Sequence, residues 1–283
     1  MGAMRNIKLT LEYDGTAYSG FQRQDGLPTI QAELERAVAV ITKAPASVIG
    51  AGRTDAGVHA RCQVANFRTD ARMQAEKFVP ALNSILAPDI RVTAAEEVPP
   101  TFHARYDARS KTYEYTIDTR AVPSVFLRNY AHHVPFPLDL DAMRRGCAHL
   151  VGRHDFRSFA AAHGGAKTFT RDVKMFLLES DGDLVRMTVE ADGFLYNMVR
   201  IMVGTLVLVG MGKLTPGEVL AIRDAKDRHL AGPTAPARGL CLVRVDYGDI
   251  SSKAPRSEAL DCRDAGNGPT ANAPVQWRRS QGR

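Results

Sequence analysis

The chain has few cysteines, only Cys62, Cys147, Cys241 and Cys262 in 283 residues, and they lie far apart. No CxxC pair exists, and the eight histidines form no metal-spaced cluster with them. This argues against a structural zinc site and against a disulfide framework. Tryptophan is nearly absent as well: the single one, Trp277, falls in a polar C-terminal stretch and cannot anchor a core. Long charge-free apolar runs are missing. The most apolar segment, "FLYNMVRIMVGTLVLVGMG" at 194–212, contains Asn197 and Arg200, which favours a buried helix over a membrane span. The N-terminal "MGAMRNIKL" has no apolar signal core, so a cytoplasmic location is expected, with Met4 as the native start. No clear internal repeat is visible.

What is present supports a folded, basic protein. The hydrophobic share is 45%, enough for a substantial core. The net charge of +6 shifts the odds toward an anionic partner, nucleic acid above all.

The first half reads as β-α-β-β-α-β, the split βαβ arrangement. "RNIKLTLEY" alternates as a strand. A helix begins at about Thr29, its expected N-cap, with Ile30, Leu34, Val38 and Ile41 on one face. "SVIG" and "CQVANFRT" are strands, "QAEKFVPALNSIL" is a helix burying Phe78, Leu82 and Ile85, and "IRVTAAEEV" is a strand. Two prolines in "VPPTFHARYDARS" mark a junction between domains at 4–105 and 106–248.

The second half repeats the mixed style. "KTYEYTIDT" is a strand with Tyr113, Tyr115 and Ile117 on one face. "LDLDAMRRGCAHLVG" is a helix with Leu140, Met143, Cys147 and Leu150 as its stripe. "TFTRDVKMFLLES" and "DLVRMTVEAD" form a strand pair around "DGD". A long apolar helix starts at Phe194, and Thr215, Pro216 and Glu218 make a capping box for the next. "GLCLVRVDY" is the closing strand. Residues 249–283 are polar, Pro/Gly/Ala-rich and aperiodic, and are expected to be a disordered tail.

Three residues stand out chemically. Asp55 sits in "GAGRTDAGVHA", a loop whose glycines 50, 52 and 57 permit unusual backbone angles and close approach. It is either a charged turn or a carboxylate held for chemistry. Arg200 lies mid-helix among Met198, Val199, Ile201 and Met202. It either reaches solvent or pairs with an acid, because a guanidinium cannot shed its charge. Tyr113 lies on a half-buried strand, where packing alone explains a tyrosine. The isolated histidines His59, His103, His154 and His163 default to structural roles. "LTLEYDGT" at 9–16 has the look of a haloacid-dehalogenase-type phosphatase start. However, Glu12 replaces the nucleophilic aspartate and is one methylene too long. An RNA-binding module without chemistry is a further reading of the charge.

Several motifs together resemble the tRNA pseudouridine synthase A family. "GRTDAGVHA" is similar to its signature loop and "YDGTAYSGFQRQ" (13–24) to its N-terminal loop. "FHAR" (102–105), "SKTYEY" (110–115), "GRHDFRSF" (152–159) and "FLYNMVRIMVG" (194–204) resemble further segments, in order. The resemblance runs from about Met4 to Tyr247 and leaves out the tail. It implies a two-domain α/β body around a central, largely antiparallel sheet. It also implies a homodimer without metal or cofactor, and isomerisation of uridines in the anticodon arm of tRNA to pseudouridine. Asp55 corresponds to the catalytic aspartate, Arg200 to its arginine partner, and Tyr113 to the tyrosine that stacks on the target base. Arg53 corresponds to the arginine that helps turn the nucleotide out. Arg53, Thr54, Tyr113, Arg105, Arg109 and Lys111 are expected to bind the RNA. Arg153, Arg157, Lys167 and Arg171 are further candidates for its backbone.

Overall fold

The computed structural model describes residues 4–162 and 165–248. His163, Trp277 and the tail expected to be disordered lie outside the described residues. The sheet is built from β1 (Arg5–Tyr13), β2 (Val48–Gly50), β3 (His59–Thr69), β4 (Ile90–Val98), β5 (Ser110–Asp118), β6 (His132–His133), β7 (Gly152–Asp155), β8 (Thr170–Asp181), β9 (Leu184–Ala191) and β10 (Leu240–Asp246). The helices are α1 (Ile30–Thr42), α2 (Phe78–Asn83), α3 (Leu140–Ala148), α4 (Met198–Gly210) and α5 (Pro216–Ala225).

Eight strands run in the order β4-β1-β3-β10-β5-β9-β8-β7, with β2 paired to β3 and β6 to β5. All pairings are antiparallel except β10 with β3 and β5 with β6. The expected mixed α/β class and largely antiparallel sheet are therefore present. The strands of the first half meet those of the second where Cys241 and Leu242 lie beside His59 and Ala60. The closing strand β10 is thus inserted between β3 and β5.

Local signals account for most elements. The Thr29 side chain accepts from the Ala32 N–H at the start of α1, and Asp139 caps α3 in the same way. The capping box at Thr215 and Glu218 is formed. Alternation in β1 buries Ile7, Leu9 and Leu11 completely, each contributing about 1.5–3 kcal/mol of apolar burial. Two strands were not anticipated: β6 has only two residues, and β7 carries four polar or glycine residues, "GRHD", with no apolar alternation.

The apolar helix differs in its start. It begins at Met198 rather than Phe194, because Asn197 takes a left-handed conformation with φ 58°. A turn precedes the helix, closed by the Met198 N–H donating to the Leu195 carbonyl at 3.0 Å. Within α4, Ile201, Met202, Val203 and Leu206 are fully buried, as an all-round apolar helix requires. No helix among the described residues is long and apolar enough to cross a membrane.

Candidate active site

The loop between β2 and β3 carries Asp55, and its shape is imposed from outside. The segment 14–21 folds against it: Phe21 N–H donates to the Thr54 carbonyl at 3.0 Å, and Gly57 N–H to the Tyr18 carbonyl at 3.3 Å. Gly20 has φ +97°, and a Cβ there would stand 2.7 Å from the Thr54 carbonyl oxygen. Of the three loop glycines, only Gly57 uses a positive φ, +75°. A Cβ on Gly50 would collide with the Phe21 ring, so that glycine provides room rather than an unusual angle. The loop is fixed from below as well. The buried Thr54 hydroxyl shares a 2.8 Å hydrogen bond with Tyr13 Oη. The fully buried Gln63 donates from Nε2 to Tyr13 Oη at 3.3 Å and to the Gly52 carbonyl at 3.0 Å.

Arg200 approaches from α4, 145 residues away in sequence. Its Nη1 lies 3.3 Å from Asp55 Oδ2. Nη1 also donates to Asn197 Oδ1 at 2.8 Å, and Nε to the Ala235 carbonyl at 2.7 Å. The Ala235 N–H returns a bond to the Arg200 carbonyl. Residues 231–236 can lie on α4 because Gly204 has no side chain; a Cβ there would overlap the Pro233 carbonyl. The guanidinium is therefore held by three partners, and Asp55 receives only one of its contacts.

That division sets the electrostatics. Burial pushes the Asp55 carboxyl up, Arg200 pulls it down, and burial wins, leaving the group above its usual value. A partly desolvated carboxylate with a raised pKa is a stronger base and nucleophile than an exposed one.

Tyr113 is 6% exposed and stands on β5 between Leu242 and Val189 of the neighbouring strands. Its ring meets Phe194 edge-on at 5.2 Å. Burial, and then the nearby Tyr13 and Asp55, push its hydroxyl far upward, so it stays protonated. Asp55, Tyr113 and Arg200 all line one cleft of about 1200 Å³.

Arg53, Thr54, Arg105 and Lys111 line the same cleft, as do Arg153 and Arg171. Arg53 is exposed, whereas the Thr54 hydroxyl is turned inward to Tyr13. Burial and then Arg105 lower the Lys111 pKa, while Asp192 opposes them. Arg109 lies elsewhere, beside Gly248 at the end of β10. Arg157 covers the Phe169 ring at 4.7 Å, and neither it nor the exposed Lys167 lines the cleft. Glu12 is exposed on β1 and borders a smaller cavity of about 300 Å³ with Glu114 and Thr116. Those strand positions alternate with Lys111 and Tyr113, which places Glu12 across the sheet from Asp55. Among the described residues no three His, Cys, Asp or Glu side chains are grouped to hold a metal ion.

Sequence reasoning missed Asn197, the Ala235 carbonyl, Gln63 and Phe194. Only Asn197 gave a signal, as a residue tolerant of left-handed backbone next to a helix.

The family model described as tRNA pseudouridine synthase matches residues 10–107 and 147–248. A tRNA pseudouridine synthase A of Moorella thermoacetica is 51% identical over 85% of this chain and 99% of its own length. The Caldicellulosiruptor bescii protein of the same name is 47% identical over 86% of this chain and 100% of its own. A tRNA pseudouridine synthase A 2 of Clostridium perfringens is 46% identical over the same shares. With two segments that together span most of the sheet matched to one family model, and with relatives aligned along nearly their whole length, the chain belongs to the tRNA pseudouridine synthase family.

Proposed function

We propose that this protein isomerises uridines in the anticodon arm of tRNA to pseudouridine, with Asp55 as the reacting carboxylate. The observation that carries the reading is the Asp55–Arg200 pair, 3.3 Å apart in a cleft also lined by Tyr113 and basic side chains. The reaction breaks the bond from ribose C1′ to uracil N1 and forms one from C1′ to C5. The C5 proton leaves and N1 gains one, so no atom is added. One carboxylate has three ways to serve this: attack on uracil C6, attack on C1′, or removal of a sugar proton. Glycosidases need a second acid because water is their final acceptor. Here the detached base is itself the acceptor, so a single acid suffices.

A uridine in a stem must first leave the stack, at about a few kcal/mol. Arg53, exposed two residues before Asp55, is placed to occupy the space left in the RNA. Tyr113, with its edge-on contact to Phe194, holds the extruded base by stacking. Arg105, Lys111, Arg153 and Arg171 serve the phosphates. The protein acts in the cytoplasm as a homodimer, and residues 4–105 and 106–248 are its two domains.

The test uses unmodified tRNA carrying tritium at uracil C5. Wild type should release tritium to water. Asp55→Ala should release none while still binding tRNA. Turnover by that variant near the wild-type rate would refute the assignment of Asp55.

A further inference from the structure

Tyr106, on the same turn as Arg105 at the rim of the cleft, has no part in the chemistry above. Tyr106 lines the cleft and is 76% exposed. An exposed aromatic ring contributes little to the fold, yet this one is held in place. The His103 ring lies against it, with centroids 4.2 Å apart and planes inclined by 32°. His103 Nδ1 accepts the backbone N–H groups of Arg105 and Tyr106 at 3.2 and 3.3 Å. The His103 N–H donates to Asp107 Oδ2 at 2.8 Å, and the Asp107 N–H returns to the His103 carbonyl at 3.1 Å.

The turn is in turn fastened to the sheet. Ala104 N–H donates to Asn66 Oδ1 at 2.9 Å, and Tyr247 Oη donates to the Ala104 carbonyl at 2.7 Å. Buried Phe102 packs on Tyr247 with centroids 5.1 Å apart. The ring is therefore pre-organised, so little conformational entropy remains to be lost when a flat ligand settles on it. The guanidinium of Arg105 stands 6.0 Å from its centroid. An aromatic face beside a cation, at the rim of a cleft lined by basic residues, has the chemistry of a nucleobase platform.

We infer that the outer face of Tyr106, backed by His103, stacks an unpaired base of the substrate tRNA outside the reacting pocket. The base is unpaired because a base within a helix has both faces already covered. The inference rests on the reading of the cleft as the tRNA site, but not on the role of Asp55.

The experiment compares Tyr106→Ala, Tyr106→Phe and Tyr106→Trp. Binding of unmodified tRNA is measured in an Asp55→Ala background, and tritium release with Asp55 intact. Stacking predicts a loss of about 5- to 150-fold in Kd for the alanine variant, equivalent to about 1–3 kcal/mol. It predicts affinity like wild type for the phenylalanine and tryptophan variants. KM should rise more than kcat falls. The slope of log Kd against log salt should be unchanged, because no phosphate contact is removed. Unaltered melting temperatures establish folding, as expected for so exposed a position. Wild-type affinity in Tyr106→Ala would overturn the inference. So would a phenylalanine variant as weak as alanine, since a hydroxyl contact would then carry the binding. Absence of tritium release by wild type would count against the chemistry assigned to Asp55, while the binding comparison would still decide the platform.

Discussion

Replacing Arg200 with alanine separates the two forces on Asp55. At 3.3 Å the Coulomb attraction is about 1 kcal/mol at the dielectric of water and about 5 kcal/mol at an effective value near 20. The side chains are 17% and 21% exposed, so a net value of about 2–3 kcal/mol is reasonable after screening. The Ala235 carbonyl also loses its side-chain donor, which adds about 1 kcal/mol. The total of about 3–4 kcal/mol corresponds to a fall in Tm of roughly 6–15 °C for a chain of this size.

The pH dependence carries the sharper test. Asp55 holds its proton more tightly in the folded protein than in the unfolded chain. Its contribution to stability is therefore present at low pH and is lost as pH rises from the ordinary carboxylate value through the raised one. Removing Arg200 raises that value further. The deficit of Arg200→Ala should thus be larger at about pH 8 than at about pH 4, and Asp55→Asn in the same chain should remove the difference. The acid limb of kcat/KM should move to higher pH, and activity lost at neutral pH should partly return in alkali. Urea titrations at several pH values and tritium-release profiles provide the measurements. A deficit independent of pH together with an unmoved acid limb would show that Asp55 and Arg200 are not coupled as argued.

Two other perturbations bear on the cleft. Gly20→Ala places a Cβ 2.7 Å from the Thr54 carbonyl at a φ of +97° and should shift the Asp55 loop. A fall of roughly 100-fold in kcat is expected with tRNA affinity retained; single-turnover rates near wild type would contradict it. If Arg53, Arg105, Lys111, Arg153 and Arg171 all meet phosphates, log Kd should rise with log salt at a slope of about +3.5 to +4.5. A slope near zero in a filter-binding titration would remove them from the interface.

The elements that were legible in the sequence are those whose signals are local. The period of Ile7, Leu9 and Leu11, the caps at Thr29 and Thr215, and the turn around Gly182 each need only neighbouring residues. The meeting of Asp55 with Arg200 is not local. A resemblance of ordered motifs implies it, whereas the residues themselves leave Arg200 open between solvent and a partner. What stayed hidden depends on three-dimensional neighbours. In the sequence Gln63 is a polar strand residue like any other; only its bonds to Tyr13 and Gly52 set it apart. Tyr106 looked like part of a proline-marked junction. The apolar pattern runs back to Phe194, but α4 starts only at Met198, because the left-handed backbone of Asn197 is a single dihedral angle that the pattern does not show.

The position of β10 has a consequence for biosynthesis. Strands β3 and β5 both precede β10 in the chain, yet they do not pair with each other; the strand between them is the last element of the described fold. A nascent chain that has emerged only as far as Gly239 therefore holds two half-sheets, each with an open edge ready to pair with the wrong strand. Joining them waits on contacts between residues far apart in sequence, such as Cys241 with His59, the kind that forms slowly. Because β10 adjoins both β3, which follows the Asp55 loop, and β5, which carries Tyr113, the chain must have emerged through Asp246 before the cleft can close around a tRNA.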